Sequence, residues 1–291
     1  GISPLIVGLT IVGFGTSLPE MVVSVNAALV GSPGLAVGNV VGSNIANILL
    51  ILGVAAIIAP IAVSPGAVKR DLLGMSAVTL VYVGLGMSGQ IVFWQGALML
   101  IALMSYIGFT VWHDNKSNDE VAELHREEAA EMGTIPLRTV SIAGIIIVGL
   151  FAVVVGAEWL VTGATTLAME FGVPEEVIGL TVVAIGTSLP ELATSIVAAY
   201  RGHSDVCVGN VLGSNLFNLF GITGVTAMFT PLPFSDKIVS FDLWILLAAT
   251  ALIIPFMLSG RRISRLEGSI LLVLYVGFIA SQFLGMSGMP T

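Results

Sequence analysis

The chain has 291 residues, of which 56% are hydrophobic and only 10% are charged. A soluble domain usually carries roughly 25% charged residues, so the composition excludes an ordinary soluble protein. The formal net charge is −8 and no basic patch with interleaved aromatic residues is present, so no nucleic-acid partner is expected. Cys207 is the only cysteine, which excludes an intramolecular disulfide and a cysteine-based metal cluster.

Long apolar runs follow one another along most of the chain, separated by short polar segments. Each run is close to the roughly 20 residues that a helix needs to cross a membrane. The predicted spans cover residues 4–29, 35–59, 72–88, 91–111, 137–168, 174–199, 206–229, 239–258 and 266–286. The sequence therefore predicts an all-α polytopic membrane protein.

An internal repeat is the main signal in the sequence. Residues 1–61 align with residues 172–232 at a constant offset of 171, with 28 identities in 61 positions and no gap. The matching segments include Gly15–Glu20 with Gly186–Glu191 (both Gly-Thr-Ser-Leu-Pro-Glu), Gly38–Val40 with Gly209–Val211, Gly42–Asn44 with Gly213–Asn215, and Asn47 with Asn218. Apolar helices that are alike by chance match at Leu and Val, not at such polar motifs.

The number of spans between the two copies sets their relative orientation. Five predicted spans lie between Gly1 and Gly172, and an odd number brings the second copy into the membrane from the opposite side. Inverted-topology repeats of this kind are common among secondary transporters. The second copy is also preceded by the span 137–168, whose counterpart before Gly1 is absent. We therefore expect a missing first span of roughly 30 residues and two five-helix halves, ten spans in all.

The basic residues indicate the orientation in the membrane. With this span order, nine of the ten Lys and Arg residues fall on one side and only Lys237 on the other. Short cytoplasmic loops are rich in Lys and Arg, so that side is predicted to be cytoplasmic. We expect a first half at 1–112, an acidic cytoplasmic loop at 113–136, and a second half at 137–291 with an outward C-terminus. The protein is expected in the cell (inner) membrane.

Two glutamates lie near the middle of predicted spans, Glu20 in 4–29 and Glu191 in 174–199. An ionised carboxylate in a span is costly and usually marks an ion path or a partner. A protonated glutamate bonded to a neighbouring helix is the alternative, but two acids in identical contexts favour an ion site. Pro19 and Pro190 precede them, and proline removes a helical hydrogen bond, so the carbonyl groups nearby are predicted to turn towards a cavity.

Further oxygen donors recur in both copies. Serine and asparagine four residues apart lie on one helical face, as Ser43 with Asn47 and Ser214 with Asn218 do. Such side chains also join helices within membranes, but their recurrence beside the glutamates favours one shared site. The small-residue faces Gly38–Gly42 and Gly209–Gly213 are instead interpreted as surfaces for close helix packing.

The chemistry of these donors favours a hard cation. Two carboxylates offer four oxygens and the carbonyl groups of Thr16 and Thr187 offer two more, within the roughly six to eight that calcium takes at about 2.3–2.6 Å. Zinc and softer metals favour His or Cys, and the histidines at 113, 125 and 203 lie outside the apolar cores of the spans. Calcium is therefore preferred, and sodium is able to use the same oxygens.

The two Gly-Thr-Ser-Leu-Pro-Glu segments and the two Gly-Ser-Asn-x-x-Asn segments resemble the α-repeats of the cation/calcium exchanger superfamily, specifically its prokaryotic sodium/calcium exchanger branch. The resemblance implies ten helices in two inverted halves and exchange of calcium for sodium by alternating access. It implies calcium ligands at Glu20, Glu191, Thr16 and Thr187, and sodium or shared ligands at Ser17, Ser188, Ser43, Ser214, Asn47 and Asn218. Some members have Asp where this chain has Asn47 or Asn218, which leaves the choice of sodium or proton as counter-ion open.

Other classes and features carry less weight. A calcium/proton antiporter of the same fold is the alternative, and a cation channel is less expected because channels generally repeat around a pore axis. No hydrolase motif is present, so we expect a transporter rather than an enzyme, with no cofactor. Partners are expected to be the lipid bilayer and the transported calcium and sodium, with no obligate protein partner. Glu158 is interpreted as an interfacial or locally paired acid, with a gate or proton carrier as the alternative.

Overall fold

The structure is a computed structural model. It describes residues 12–63, 67–116, 159–167, 170–258 and 260–284, together with positions 148, 152, 155 and 156. The beginning of the predicted span 4–29, most of the span 137–168 with Glu158, and most of the acidic stretch 113–136 lie outside the described residues.

Helices make up almost all of the described chain. In the first half they are α1 (Gly13–Thr16), α2 (Leu18–Leu29), α3 (Pro33–Ile58), α4 (Ala67–Gly86) and α5 (Phe93–Lys116). In the second half they are α6 (Glu175–Thr187), α7 (Leu189–Tyr200), α8 (Ser204–Ala227), α9 (Ile238–Leu258) and α10 (Arg265–Leu284). Short π-helical turns interrupt α3 at Asn47–Ile51, α6 at Gly179–Val183, α8 at Phe217–Ile222 and α9 at Ile238–Asp242.

Five of these helices are long and apolar enough to cross a membrane by length and composition: α3, most of α5, α8, α9 and α10. The pair α6 and α7 also passes that test together, with a bend of 45° between its two parts. The predicted span 72–88 corresponds to α4, which begins at Ala67 and carries three charged residues near its start, at positions 69–71. Helix α5 continues to Lys116, so the predicted loop 113–136 is helical in its first residues.

The two helices that carry the Gly-Ser-Asn motifs lie at the centre of the protein. In α3 and α8, 78% and 94% of the most apolar segment is buried, compared with 22% in α5 and 28% in α10. Helices α3 and α8 are therefore surrounded by protein, whereas α5 and α10 present most of their surface outward.

Glycines set how closely the central helices approach their neighbours. A Cβ atom at Gly38 would lie 2.4 Å from the carbonyl oxygen of Glu176, and one at Gly42 would lie 2.5 Å from that of Leu180. A Cβ atom at Gly179 would lie 2.5 Å from the carbonyl oxygen of Leu35. The predicted close-packing face of α3 is confirmed, and its partner is α6. The corresponding role of Gly209 and Gly213 stays a prediction.

Contacts between the halves occur in matched pairs. Gly53 of α3 meets Gly268 of α10 backbone to backbone, and Gly224 of α8 meets Gly96 of α5 in the same way. The short strands repeat the pattern: β1 (Ile61–Ala62) pairs antiparallel with β4 (Arg262–Ile263), and β2 (Gln90–Ile91) pairs antiparallel with β3 (Leu232–Pro233). Each half therefore packs its helices and strands against those of the other half.

Candidate functional site

The repeated Gly-Thr-Ser-Leu-Pro-Glu motif forms a break between two helices. Helix α1 ends at Thr16, Ser17 adopts a turn conformation (φ −83°, ψ 5°), and α2 begins at Leu18 with proline in its first turn. In the second copy Ser188 adopts the same conformation (φ −82°, ψ 7°) between α6 and α7. Proline is favoured at the first positions of a helix because its missing N–H has no partner to bond there. The predicted interruption is confirmed, and it falls at the serine.

Both glutamates are fully buried, with no exposed surface. Each has one oxygen bonded to a serine of the opposite copy: the hydroxyl of Ser17 donates to Oε1 of Glu191 at 3.0 Å, and that of Ser188 donates to Oε1 of Glu20 at 3.0 Å. The second oxygen, Oε2, of each glutamate has no hydrogen-bond partner among the described residues. Buried polar atoms are nearly always bonded, so two open carboxylate oxygens need an explanation.

The two carboxylates belong to one site. Each acid accepts a bond from the turn that precedes the other acid. Two like charges in a low-dielectric interior repel each other strongly unless a proton or a cation compensates them. Their arrangement is suited to a group of positive charge.

Asparagines of α3 and α8 contribute further open atoms. Asn47 begins the π turn of α3, its amide nitrogen donates to Oδ1 of Asn215 at 3.0 Å, and its own Oδ1 is unbonded within the described part of the chain. Asn218 lies in the π turn of α8, and neither of its amide atoms has a described partner. The amide nitrogen of Asn44 donates to the Val40 carbonyl, while its Oδ1 is open among described residues. Single π turns in helices are frequent at functional sites.

The remaining predicted ligands are engaged by protein groups. The hydroxyl of Thr16 lies 3.2 Å from Oδ1 of Asn210 and 2.9 Å from the carbonyl oxygen of Val12. The hydroxyl of Thr187 lies 3.1 Å from Oδ1 of Asn39 and 3.0 Å from the carbonyl oxygen of Val183, so each hydroxyl shares its one proton between its own helix and the asparagine. The hydroxyl of Ser43 donates to Oδ1 of Asn39 at 3.4 Å. The hydroxyl of Ser214 donates to the carbonyl of Gly13 at 3.3 Å.

The described bonds bring together the two carboxylates, the serines and threonines of the two helix breaks, Ser43 and Ser214. Asn47 and Asn218 have no described bond to either acid, so their part in the site, like that of the threonine carbonyl groups, stays a prediction.

Sequence reasoning missed two groups of buried polar residues. The sequence shows that Asn39 and Asn210 are repeated but indicates no role for them. Asp71 of α4 and Asp242 of α9 are both fully buried and share the offset of 171, but they lie beyond the aligned segments. Asp71 accepts bonds from Arg70 (2.9 Å) and from the hydroxyl of Tyr106 (2.8 Å). Asp242 accepts a bond from Nε2 of Gln282 at 2.7 Å. Extending the offset past residue 61 is the signal that finds both aspartates.

Comparison with known families agrees with this arrangement. Residues 1–112 and 141–284 match the family described as sodium/calcium exchanger protein. The chain belongs to this family. The resemblance predicted from the motifs is confirmed, and the family is one of transporters rather than enzymes.

Similar proteins align with most of this chain. Sodium/calcium exchanger MaX1 of Methanosarcina acetivorans is 30% identical over 326 aligned positions, covering 97% of this chain and 90% of MaX1. Inner membrane protein YrbG of Escherichia coli is 39% identical over 235 residues, covering 79% of this chain and 71% of YrbG. A solved structure of the sodium-calcium exchanger NCX_Mj matches with a TM-score of 0.72 at 32% identity, covering 96% of this chain and 87% of NCX_Mj. The chain has a helical membrane-protein fold of the NCX_Mj type.

Proposed function

We propose that this chain is a secondary active antiporter that exchanges calcium for sodium across a membrane by alternating access. The observation that carries the proposal is the pair of fully buried glutamates, Glu20 and Glu191, each with one oxygen held by a serine and the other open among described residues. A buried carboxylate is costly unless it is paired, and a bound cation supplies the missing pair. Family membership and the names of MaX1 and NCX_Mj support the same activity.

The proposed calcium ligands are the carboxylates of Glu20 and Glu191 and the carbonyl groups of Thr16 and Thr187. Hard oxygen ligands in this number suit calcium, which takes about six to eight at roughly 2.3–2.6 Å. The open amide oxygens of α3 and α8 support additional positions for sodium. The proposed sodium or shared ligands are Ser17, Ser188, Ser43, Ser214, Asn47 and Asn218.

The proposed mechanism follows from charge. With both glutamates ionised and no cation bound, repulsion between them disfavours the closed, water-free state through which an alternating-access carrier must pass. A bound cation neutralises the site and permits that passage. The site changes the side of the membrane to which it is open only when it holds calcium or sodium. Exchange of the two cations results, and an uncoupled leak is suppressed because the empty site does not cross.

We propose the topology of two inverted halves, 1–112 and 137–291, joined by a cytoplasmic loop, with an outward C-terminus. The odd number of predicted spans between the copies and the one-sided distribution of Lys and Arg support it. Each strand of the first half pairs with a strand of the second half, β1 with β4 and β2 with β3. This is the pattern expected of two halves related by a two-fold axis. We place the protein in the cell (inner) membrane, and the name of YrbG supports that location.

The test is uptake of radioactive calcium into proteoliposomes that hold the purified protein, under an outward sodium gradient. Glu20→Gln and Glu191→Gln preserve size but remove a charge from the site, so uptake is expected to fall about a hundredfold or more. Glu267→Gln is the matched control, because Glu267 bonds Ser264 at a helix start away from the site.

The outcomes separate the alternatives. Uptake at the normal rate in either site variant would refute the proposed function. If an outward proton gradient drives uptake and a sodium gradient does not, the protein is a calcium/proton antiporter. A flux that requires no counter-ion gradient and does not saturate identifies a channel.

A further inference from the structure

Two asparagines outside the proposed ligand set connect the two copies of the repeat. Asn39 of α3 is fully buried. Its amide nitrogen donates to the hydroxyl of Ser24 at 3.0 Å and to the backbone carbonyl of Glu20 at 3.3 Å. Its amide oxygen accepts the hydroxyl of Thr187 at 3.1 Å. One side chain therefore joins the acid of the first copy to the threonine of the second copy.

Asn210 of α8 makes the corresponding bonds from the other side and is also fully buried. Its amide nitrogen donates to Ser195 at 3.0 Å and to the backbone carbonyl of Glu191 at 3.3 Å. Its amide oxygen accepts the hydroxyl of Thr16 at 3.2 Å. Buried amides need partners, but packing alone does not require the same three partners in both copies.

Protein groups already engage both of these amides. The nitrogen of an amide side chain only donates, and a cation needs an acceptor. The oxygen of Asn39 already accepts from Thr187 and Ser43, and that of Asn210 accepts from Thr16. Their contacts are instead with the backbone and hydroxyl groups of residues that carry the proposed ligands.

We propose that Asn39 and Asn210 are positioning residues that hold the two copies in register across the ion site and thereby set its cation affinity. The proposal rests on the proposed function, because its consequence is read as affinity for calcium. Calcium–oxygen distances vary by only a few tenths of an ångström, so the acid of one copy and the threonine carbonyl of the other must be held closely. A misplacement of about 1 Å in a preorganised site commonly costs on the order of a hundredfold.

The structure makes a specific prediction about which residues are coupled. Asn39 is bonded to Thr187 and Asn210 to Thr16, so the partners cross between copies. Thr187→Val removes the hydroxyl and leaves the backbone carbonyl in place; Thr187→Ser keeps the hydroxyl. We expect Thr187→Val to raise the calcium concentration for half-maximal uptake about tenfold, the effect of one lost bond of ordinary strength, and Asn39→Ala to raise it at least as far, because it also loses the bonds to Ser24 and to the Glu20 carbonyl.

The experiment is a double-mutant cycle in the full chain in proteoliposomes. Asn39→Ala with Thr187→Val should raise half-saturation no more than Asn39→Ala alone, because that change already removes the bond to Thr187. Asn39→Ala with Thr16→Val should show the product of the two effects, about a hundredfold or more, because these residues are not partners. The maximal rate should change much less than the half-saturation, and Thr187→Ser should restore it to near the normal value.

Asn26→Ala is the control variant, because Asn26 lies on α2 with Glu20 but is only half-buried. If Asn39→Ala does not fold, the milder Thr187→Val and Thr16→Val changes, each combined with Asn210→Ala, provide the same comparison. The proposal would be overturned if Asn39 is coupled to Thr16 as strongly as to Thr187. A loss of maximal rate with unchanged half-saturation would also overturn it.

A second measurement separates this proposal from the proposed function. Calcium is added to the purified variants in detergent and the rise in melting temperature is recorded, which reports binding without transport. If the wild type transports no calcium but is stabilised by it, the proposed function fails while the crossed coupling is still decided by this measurement. If calcium stabilises the wild type and Asn39→Ala equally over the whole concentration range, the positioning role is wrong.

Discussion

Replacement of Gly42 by alanine tests whether the close approach of α3 to α6 builds the site. A Cβ atom at Gly42 would lie 2.5 Å from the carbonyl oxygen of Leu180, 2.7 Å from its Cα atom and 2.8 Å from the Cβ atom of Ala184. Ordinary contacts between such atoms are about 3.5–4.0 Å, so the two helices must separate by about 1 Å. Backbone atoms cannot rotate away as the end of a side chain can, and the whole helix must shift.

The magnitude follows from two opposing terms. Alanine is favoured over glycine within a helix by about 0.5–1 kcal/mol, and overpacking of a tight contact costs about 1–3 kcal/mol. Gly84 of α4 is the matched control, since an added Cβ atom there meets nothing within 4 Å. Gly84→Ala should therefore be neutral or stabilising, and Gly42→Ala should be less stable than it by about 1–3 kcal/mol.

The assay has two parts. Thermal or denaturant unfolding in detergent compares the two variants, and calcium uptake in proteoliposomes measures the site. Because Ser43 follows Gly42 directly and Asn47 lies further along the same helix, a shift of about 1 Å should also raise half-saturation for calcium, on the order of a hundredfold at most. Normal stability and normal uptake in Gly42→Ala would refute the idea that this glycine determines the helix separation.

Two matched pairs give the remaining predictions. Asp71→Asn should lower the free energy of unfolding by about 1–3 kcal/mol, because it weakens the bonds from Arg70 and Tyr106. Asp242→Asn should lower it by less than about 1 kcal/mol, because one oxygen of Asp242 has no partner among described residues. Equal losses in denaturant unfolding would contradict this difference. In cation-free detergent, Asn47→Ala should be less stable than Asn218→Ala by about 1 kcal/mol, since of the two amides only that of Asn47 is bonded to a described residue. The reverse order of melting temperatures would be evidence against the described bonding.

The position of the acids could be predicted because two local rules agree. A glutamate within an apolar run is costly wherever the chain folds, and a proline just before it interrupts the helix in any context. Both rules act over a few residues, so Glu20 and Glu191 and the helix breaks beside them were accessible from the sequence. The duplication then indicated that the acids act together, and their complete burial agrees with that prediction.

The partners of the acids could not be predicted, because they depend on how distant helices cross. Nothing in the segment around Ser17 shows that its hydroxyl donates to Glu191 rather than to a group of its own copy. That pairing follows from the approach of α3 to α6 at three glycines, at positions 38, 42 and 179. Polar residues such as Asn39 also have an ordinary use in joining membrane helices, so their pattern alone does not indicate a role at the site.

The predicted division into halves describes the sequence and not separate units in space. Gly53 of α3 packs on Gly268, and Gly224 of α8 packs on Gly96, so the central helix of each half is supported by the last helix of the other. The strand pairs β1–β4 and β2–β3 join the same halves at their loops. Because a repeat reports which segments are alike, and not which segments touch, this exchange is visible only in three dimensions.

The exchanged bonds have a consequence for how the site can work. Glu20 is held by Ser188, Glu191 by Ser17, and the two asparagines tie each acid-bearing turn to the opposite threonine. Among the described bonds, the carboxylate of each acid is held by a serine of the other copy, so the arrangement of the carboxylates depends on the relative position of the copies. A shift of one copy against the other changes bonds to both carboxylates at once, and a cation bound between them, as proposed, would resist that shift. Occupancy of the site and the relation between the halves are therefore one equilibrium, and a ligand biases it only through its difference in affinity for the two arrangements.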